Sequence, residues 1–333
     1  MAKTILPTAD PESPYYPQDA ALFSILLTRR EEVMPWIHNN YKQIYCHREM
    51  YTNYTADFLK VDIWNNCPWI VRHNVPHALI RSHWKRFSDF ITDSLDQGLY
   101  AFCRYDRFYL SALNDPRHFP HDMFLYGYDG DTLYFRDFQF HYERLNCTRE
   151  ELDTGHLEGL DAGDYLQGVD LLGFRDAAFA FEMDKYARDL GNYVRGESGI
   201  TSADLYPGLP QYRTDYVYGV EVYPALARYI RDTAANGTPA VIRTAFHLIY
   251  YHKRLLENSV AYLAEQGRLM HGKEHEARCR TWTLEMDKLR MILLKFNATG
   301  DSSVLERMDA AGRLERAYET EKRDIPRLIA DLR

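Results

Sequence analysis

His121-Asp-Met-Phe-Leu-Tyr-Gly-Tyr-Asp-Gly-Asp-Thr-Leu-Tyr-Phe-Arg-Asp137 reads as two aromatic-rich strands joined at Asp129-Gly130-Asp131. Glycine supplies the positive φ that a tight turn needs, so the stretch predicts a β-hairpin. Folded about Gly130, residues whose numbers sum to about 258–261 face one another. His121 then stands opposite residue 138 or 139, with Asp137 directly or diagonally beside it. The separation of 16 is even, which allows both side chains onto one face. A carboxylate beside an imidazole fixes its tautomer and stabilises the imidazolium, which is the machinery of general acid–base catalysis. The same spacing also fits a half-exposed histidine at a strand end and an unrelated turn aspartate.

Working outward, Leu99-Tyr-Ala-Phe-Cys-Arg-Tyr105 predicts a strand. Before it, Trp84, Phe87, Phe90, Ile91 and Leu95 predict an amphipathic helix over His83–Leu95 that stops at Gly98. The first helix is placed at Asp19-Ala-Ala-Leu-Phe-Ser-Ile-Leu-Leu, running towards Trp36, with Asp19 in the N-cap position. Residues 40–80 suggest strands and loops. Beyond about residue 145 the texture changes. Residues 146–215 read as a helix or two with loops around Gly155, Gly163, Gly173, Gly191 and Pro207-Gly-Leu-Pro. The last third is helical: Trp282, Met286, Leu289, Leu293 and Phe296 form one apolar stripe, and Ala245, Leu248, Ile249, Leu256, Val260 and Leu263 another. A charged amphipathic segment closes the chain from about Ser302. The expectation is an α+β protein with an antiparallel sheet in residues 1–145 and a mainly α-helical domain in residues 146–333.

Composition limits the function classes. In 333 residues, 40 Lys and Arg against 48 Asp and Glu give a net charge of −8, so no nucleic-acid-binding surface is expected. The apolar runs are too short for a membrane span, and the start lacks the pattern of a signal peptide, so a cytoplasmic protein is expected. The five cysteines, Cys46, Cys67, Cys103, Cys147 and Cys279, are scattered without a C-x-x-C pair, which argues against a disulfide framework or a cysteine-bound zinc. In a reducing compartment the sequons at Asn53, Asn146, Asn236 and Asn297 are chance matches. No nucleotide-binding glycine loop occurs, and no cofactor is expected. The i, i+4 pairs His73/His77 and His271/His275 are interrupted by Pro76 and Gly272, and neither is an H-E-x-x-H site. His118 with His121 and Asp122 or Asp137 is the remaining metal arrangement, and no metal role is expected from it either.

The passage Ile91-Thr-Asp-Ser-Leu-Asp-Gln-Gly98, Cys103-Arg-Tyr-Asp106, His121-Asp-Met-Phe-Leu-Tyr-Gly127-Tyr128-Asp129 and Asp137 resembles the papain-like fold of the butirosin-biosynthesis acyltransferase family. More loosely, it resembles bacteriocin-leader peptidases. The match covers about 55 residues. The helical tail, with Tyr218-Gly-Val-Glu-Val-Tyr-Pro-Ala-Leu-Ala-Arg-Tyr and Phe246-His-Leu-Ile-Tyr-Tyr-His-Lys, resembles the C-terminal part of homologues found beside nonribosomal peptide synthetase genes. The resemblance implies His121 as base and Asp137 as its orienter. It also implies acyl transfer from an acyl or peptidyl carrier-protein thioester to an amine in natural-product biosynthesis.

Papain-like sites place a cysteine at the start of the first helix, where the helix dipole lowers its pKa. Here Asp19 occupies that nucleophile slot, and no cysteine precedes Cys46. Three readings stay open. Cys46 is the nucleophile, 75 residues before His121, with Gln43 as oxyanion donor; its competing reading is a packed thiol in an aromatic strand. Alternatively, the amine attacks the activated thioester directly, with His121 taking its proton. In the third reading the site is inert and the protein binds a carrier-tethered chain for a synthetase complex. Thioester or peptide hydrolysis is a further alternative. Aromatic helices in the tail also fit a homodimer.

Overall fold

The structure is a computed structural model in which residues 2–12, 14–50, 56–60, 63–139, 141–159, 166–198, 215–238 and 240–333 are described. The N-terminal half runs β1 (Lys3–Ile5), α1 (Pro17–Leu26), α2 (Arg30–Asn39), β2 (Ile44–His47), β3 (Ala56–Phe58) and α3 (Ile63–Asn66). It continues with β4 (Ile70–Pro76), α4 (His77–His83), α5 (Phe87–Asp96), β5 (Tyr100–Asp106), β6 (Pro120–Asp129), β7 (Thr132–Phe138) and β8 (Tyr142–Thr148). Then come α6 (Arg149–Gly159), β9 (Gly168–Phe174), α7 (Met183–Arg195), β10 (Tyr216–Tyr218) and α8 (Val222–Ala235). The chain closes with α9 (Arg243–Glu265), α10 (Gly272–Thr299), α11 (Ser303–Arg307) and α12 (Ala310–Ala330). The α+β expectation is met by an antiparallel sheet followed by a helical C-terminal region.

Two compact units share the chain: Met1–Val33 with Asp62–Phe179, and Met34–Val61 with Ala180–Arg333. This division differs from the boundary drawn at residue 145, which cuts through β8. Strand β9, well beyond that boundary, lies inside the first unit's sheet, between β4 and β5. Local texture registers where aromatic strands thin out, whereas sheet order is set by pairing between distant segments, which texture does not encode. The sequon Asn53, Gly163 and residues 207–210 lie outside the described residues.

The first unit is a seven-stranded antiparallel sheet of order β4-β9-β5-β6-β7-β8, with β1 added to β6. Side chains alternate between its faces. Ala101, Cys103 and Tyr105 of β5, Met123 and Leu125 of β6, Phe135 of β7 and Val169 and Leu171 of β9 share one core. Phe87, Phe90, Ile91 and Leu95 of α5 and Leu152 of α6 close that core. The helix expected over His83–Leu95 is broken. Trp84 and Arg86 are extended, and the amphipathic helix starts only at Phe87. Its end is as expected: Gly98 adopts φ +77°, a conformation that side chains with a Cβ disfavour.

Helix α1 covers the other face. Ala9 donates to Ser24 of α1 at 2.9 Å, and Arg136, which points to that face, donates to the neighbouring Asp10 at 2.7 Å. Tyr142, paired with Phe138 and so on the same side as Arg136, also turns its hydroxyl to Ser24. The helix begins with Pro17 after an extended Tyr16, so Asp19 is its third residue and not its N-cap. Proline's fixed φ and missing N–H suit the first helical position. The segment towards Trp36 is likewise interrupted, with a 3-10 turn over Leu27–Arg29 before α2.

The second unit pairs the short sheet β10-β2-β3 with α7 to α12. Both predicted stripes are buried along α9 and α10, and the two helices pack along each other. Among the described residues, no helix is long and apolar enough to cross a membrane.

Candidate active site

The hairpin forms with its turn at Gly130, φ +61°. Phe124 pairs with Arg136 and Leu125 with Phe135; past a bulge between Leu125 and Gly127, Gly127 pairs with Tyr134. Gly127 is where β1 approaches: a Cβ there would meet Thr4 O at 2.8 Å and Ile5 Cα at 2.9 Å. On β6, His121 is two residues from Met123, and on β7 Asp137 is two from Phe135. Both therefore extend the α5/α6 face of the sheet.

His121 Nδ1 stands 2.7 Å from Asp137 Oδ1, with side-chain exposures of 21% and 0%. The oxygen lies off the axis of the ring N–H, so this is a close approach and not an aligned hydrogen bond. The ring is flanked by Phe119, 5.8 Å away and nearly parallel at 28°. The buried carboxylate is held on every side. Its Oδ1 accepts from Phe138 N at 2.6 Å, and its Oδ2 accepts from Tyr105 Oη at 2.5 Å and Arg107 Nη1 at 3.2 Å. Arg107 also donates to Phe138 O at 2.8 Å and approaches Asp115 at 3.8 Å. Tyr105 is the strand partner of His121. Burial, and then the adjacent Asp137 charge, push its phenol well above the ordinary tyrosine range, so it remains a donor at working pH.

Tyr105 and Arg107 were not singled out from the sequence. The signal was available for Tyr105: once the 99–105 segment is paired with the start of β6, a tyrosine falls directly across from His121. Arg107 carries no such signal, because it follows the strand in a turn capped by Asp106, whose carboxylate accepts from Phe108 N.

The other expected site residues are placed elsewhere. Asp19 is fully buried in α1, which packs on the sheet face opposite His121 and Asp137, so the helix with the nucleophile slot is not on the side of the pair. Cys46 belongs to the second unit, buried in β2 between Val217 and Ala56. Burial pushes its thiol up, the reverse of nucleophile activation. Gln43 gives its side-chain N–H to Glu197 O at 2.7 Å and is not poised as an oxyanion donor. All five cysteines are buried and free. Cys103 lies on the His121 face, one pair deeper in the sheet, fully enclosed in the core. Burial pushes Cys67 up to about 12.

The histidine pairs also have other partners. His118 meets Asp106, at 2.7 Å, and not Asp122 or Asp137. His73 lies in a strand and His77 opens α4, so they share no helix face. His271 and His275 both contact Asp331 Oδ2, at 3.0 and 2.9 Å, which ties α10 to the residue after α12. Among the described residues, no group of three or more His, Cys, Asp or Glu is arranged to hold a metal ion.

No protein-family model and no curated protein matches the sequence.

Proposed function

We propose that the first unit is a papain-like acyltransferase domain whose His121 acts as general base with Asp137 as orienter. In this reading it passes an acyl or peptidyl group from a carrier-protein thioester to an amine. The supporting observation is the 2.7 Å approach of His121 Nδ1 to a fully buried, fourfold-contacted Asp137. With the Nδ1 edge of the ring beside the carboxylate, Nε2 is taken as the basic atom. Such contacts often align only in the complex with substrate.

The buried thiols favour the route without an enzyme nucleophile. The amine nitrogen attacks the thioester carbonyl and Nε2 accepts the proton the nitrogen releases. The tetrahedral intermediate then collapses with cleavage of the C–S bond, and the carrier thiolate leaves and takes a proton from the imidazolium. A thioester is activated already, so the protein's task is to orient the reactants and manage that proton.

The test is turnover of an acyl-carrier thioester with an amine acceptor by purified protein. His121→Ala is expected to lower the rate by about 10²–10⁴-fold. Turnover by the variant at the wild-type rate would sink the proposal. Release of free acid with no amide, with or without an amine, assigns hydrolysis instead. No carrier-dependent product at all assigns a binding role.

A further inference from the structure

Two donors are directed at the Asp137 oxygen that faces away from His121. Oδ1 meets His121 and the Phe138 amide, whereas Oδ2 is taken by the Tyr105 hydroxyl and the Arg107 guanidinium. Tyr105 is fully buried and Arg107 nearly so, so both interactions operate in a medium that screens charge weakly.

A buried carboxylate beside a histidine has a cost for catalysis by a base. The negative charge stabilises the imidazolium, and a ring already protonated accepts nothing. A cation on the far side of the same carboxylate opposes this, because protonating His121 then places a second positive charge around one negative one. A neutral hydroxyl donor on Oδ2 draws charge away from Oδ1 and also fixes the carboxylate rotamer.

We propose, on the basis of the general-base reading, that Tyr105 and Arg107 are positioning residues for the base. They hold Asp137 with Oδ1 towards His121, and they temper how strongly the carboxylate favours the imidazolium.

Among the charged and titratable groups around the pair, Glu143 of β8 is the strand partner of Asp137 on the same face, and its carboxylate accepts from the His141 amide at 3.3 Å. On the turn after β5, Arg107 is the cation nearest the carboxylate, with Asp115 at 3.8 Å on its outer side. Arg104 and Asp122 are strand partners on the opposite face of the sheet. From α6, Glu151 is turned to the amides of Ser111 and Thr148, and His156 towards Arg104 O. His118 is engaged by Asp106.

The experiment is an NMR titration of the His121 ring in the full chain with 13C-labelled histidine, its signal assigned by its loss in His121→Gln. Arg107→Met is expected to raise the His121 midpoint by about one pH unit, and Arg107→Lys to return most of that shift. Tyr105→Phe, which keeps the ring volume, is expected to raise it by a smaller amount. An unchanged midpoint in folded Arg107→Met overturns the proposal. Should that variant fail to fold, an unchanged midpoint in Tyr105→Phe overturns it instead. The titration needs no substrate, so a protein that proves not to transfer acyl groups would still report on the clamp. Conversely, normal acyl transfer with unmoved midpoints would remove the clamp and leave the general base standing.

Discussion

Tyr105 Oη lies 2.5 Å from Asp137 Oδ2, joining two fully buried side chains 32 residues apart. The contact makes the Asp137 carboxylate part of the sheet's interior and not a surface group. Asp137→Asn is therefore expected to act twice. On the proposed acyl-transfer reading, turnover of a carrier thioester falls by about 10²–10⁴-fold, because the amide no longer stabilises the imidazolium. Stability falls by about 3–5 kcal/mol, because Arg107 loses its buried counter-charge. Steady-state kinetics beside urea unfolding separate the two effects.

Gly127 is expected to be intolerant for a packing reason. A Cβ there would lie 2.8 Å from Thr4 O, in the strand pair that holds β1 to β6. Gly127→Ala should cost about 1–3 kcal/mol through backbone displacement. Hydrogen exchange should show lost protection at Lys3–Ile5 while the β5–β6 ladder stays protected.

Much of this architecture was legible where a single local rule dominates. The hairpin register followed from Gly130 and the period of two, and the buried stripes of α9 and α10 from the period of 3.6. Where two local signals competed, the reading failed: Asp19 looked like an N-cap, but Pro17 had the stronger claim on the start of α1. Trp84 sat in helical phase with Phe87, yet Trp84 and Arg86 are extended around a bend, and no breaker residue marks it. The insertion of Gly168–Phe174 between β4 and β5 is a pairing of distant segments with no local trace. The same holds for the convergence of Tyr105 and Arg107 on Asp137. The sequence names the histidine and the carboxylate, but what surrounds the carboxylate exists only in the folded sheet.

In the second unit, Lys253 and Glu321 form an ion pair at 2.7 Å with neither side chain exposed. Glu321 also accepts from Tyr193 at 2.6 Å and Tyr223 at 2.7 Å, and Lys253 donates to Tyr193 at 2.8 Å. Removing one partner leaves the other charge buried and uncompensated. Glu321→Gln and Lys253→Met are each expected to cost about 3–5 kcal/mol. The double variant should cost less than the sum of the two, and chemical denaturation of all four proteins gives the coupling.

Lys42 presents the opposite case, a buried amine that the fold would be more stable without. It is 2% exposed, its Nζ makes no hydrogen bond among the described residues, and the Tyr186 ring at 5.3 Å and the charge of Asp189 offset its burial only in part. Burial, reinforced by the Lys185 charge, pulls its pKa down from 10.5 to about 7. The folded state therefore disfavours the proton that the unfolded chain holds up to about pH 10.5. The resulting penalty is fully present below pH 7, shrinks as pH rises through the interval between the two values, and is gone above it. At about 1.4 kcal/mol per unit, the full penalty is on the order of 5 kcal/mol, and relaxation around the amine reduces what is measured. Lys42→Met, which keeps the stem volume, is expected to stabilise the protein by about 2–4 kcal/mol at pH 6.5, with a gain that shrinks by pH 10. Urea midpoints for both proteins at the two pH values check this. A gain that does not depend on pH would show that packing, and not the proton, sets the cost of Lys42.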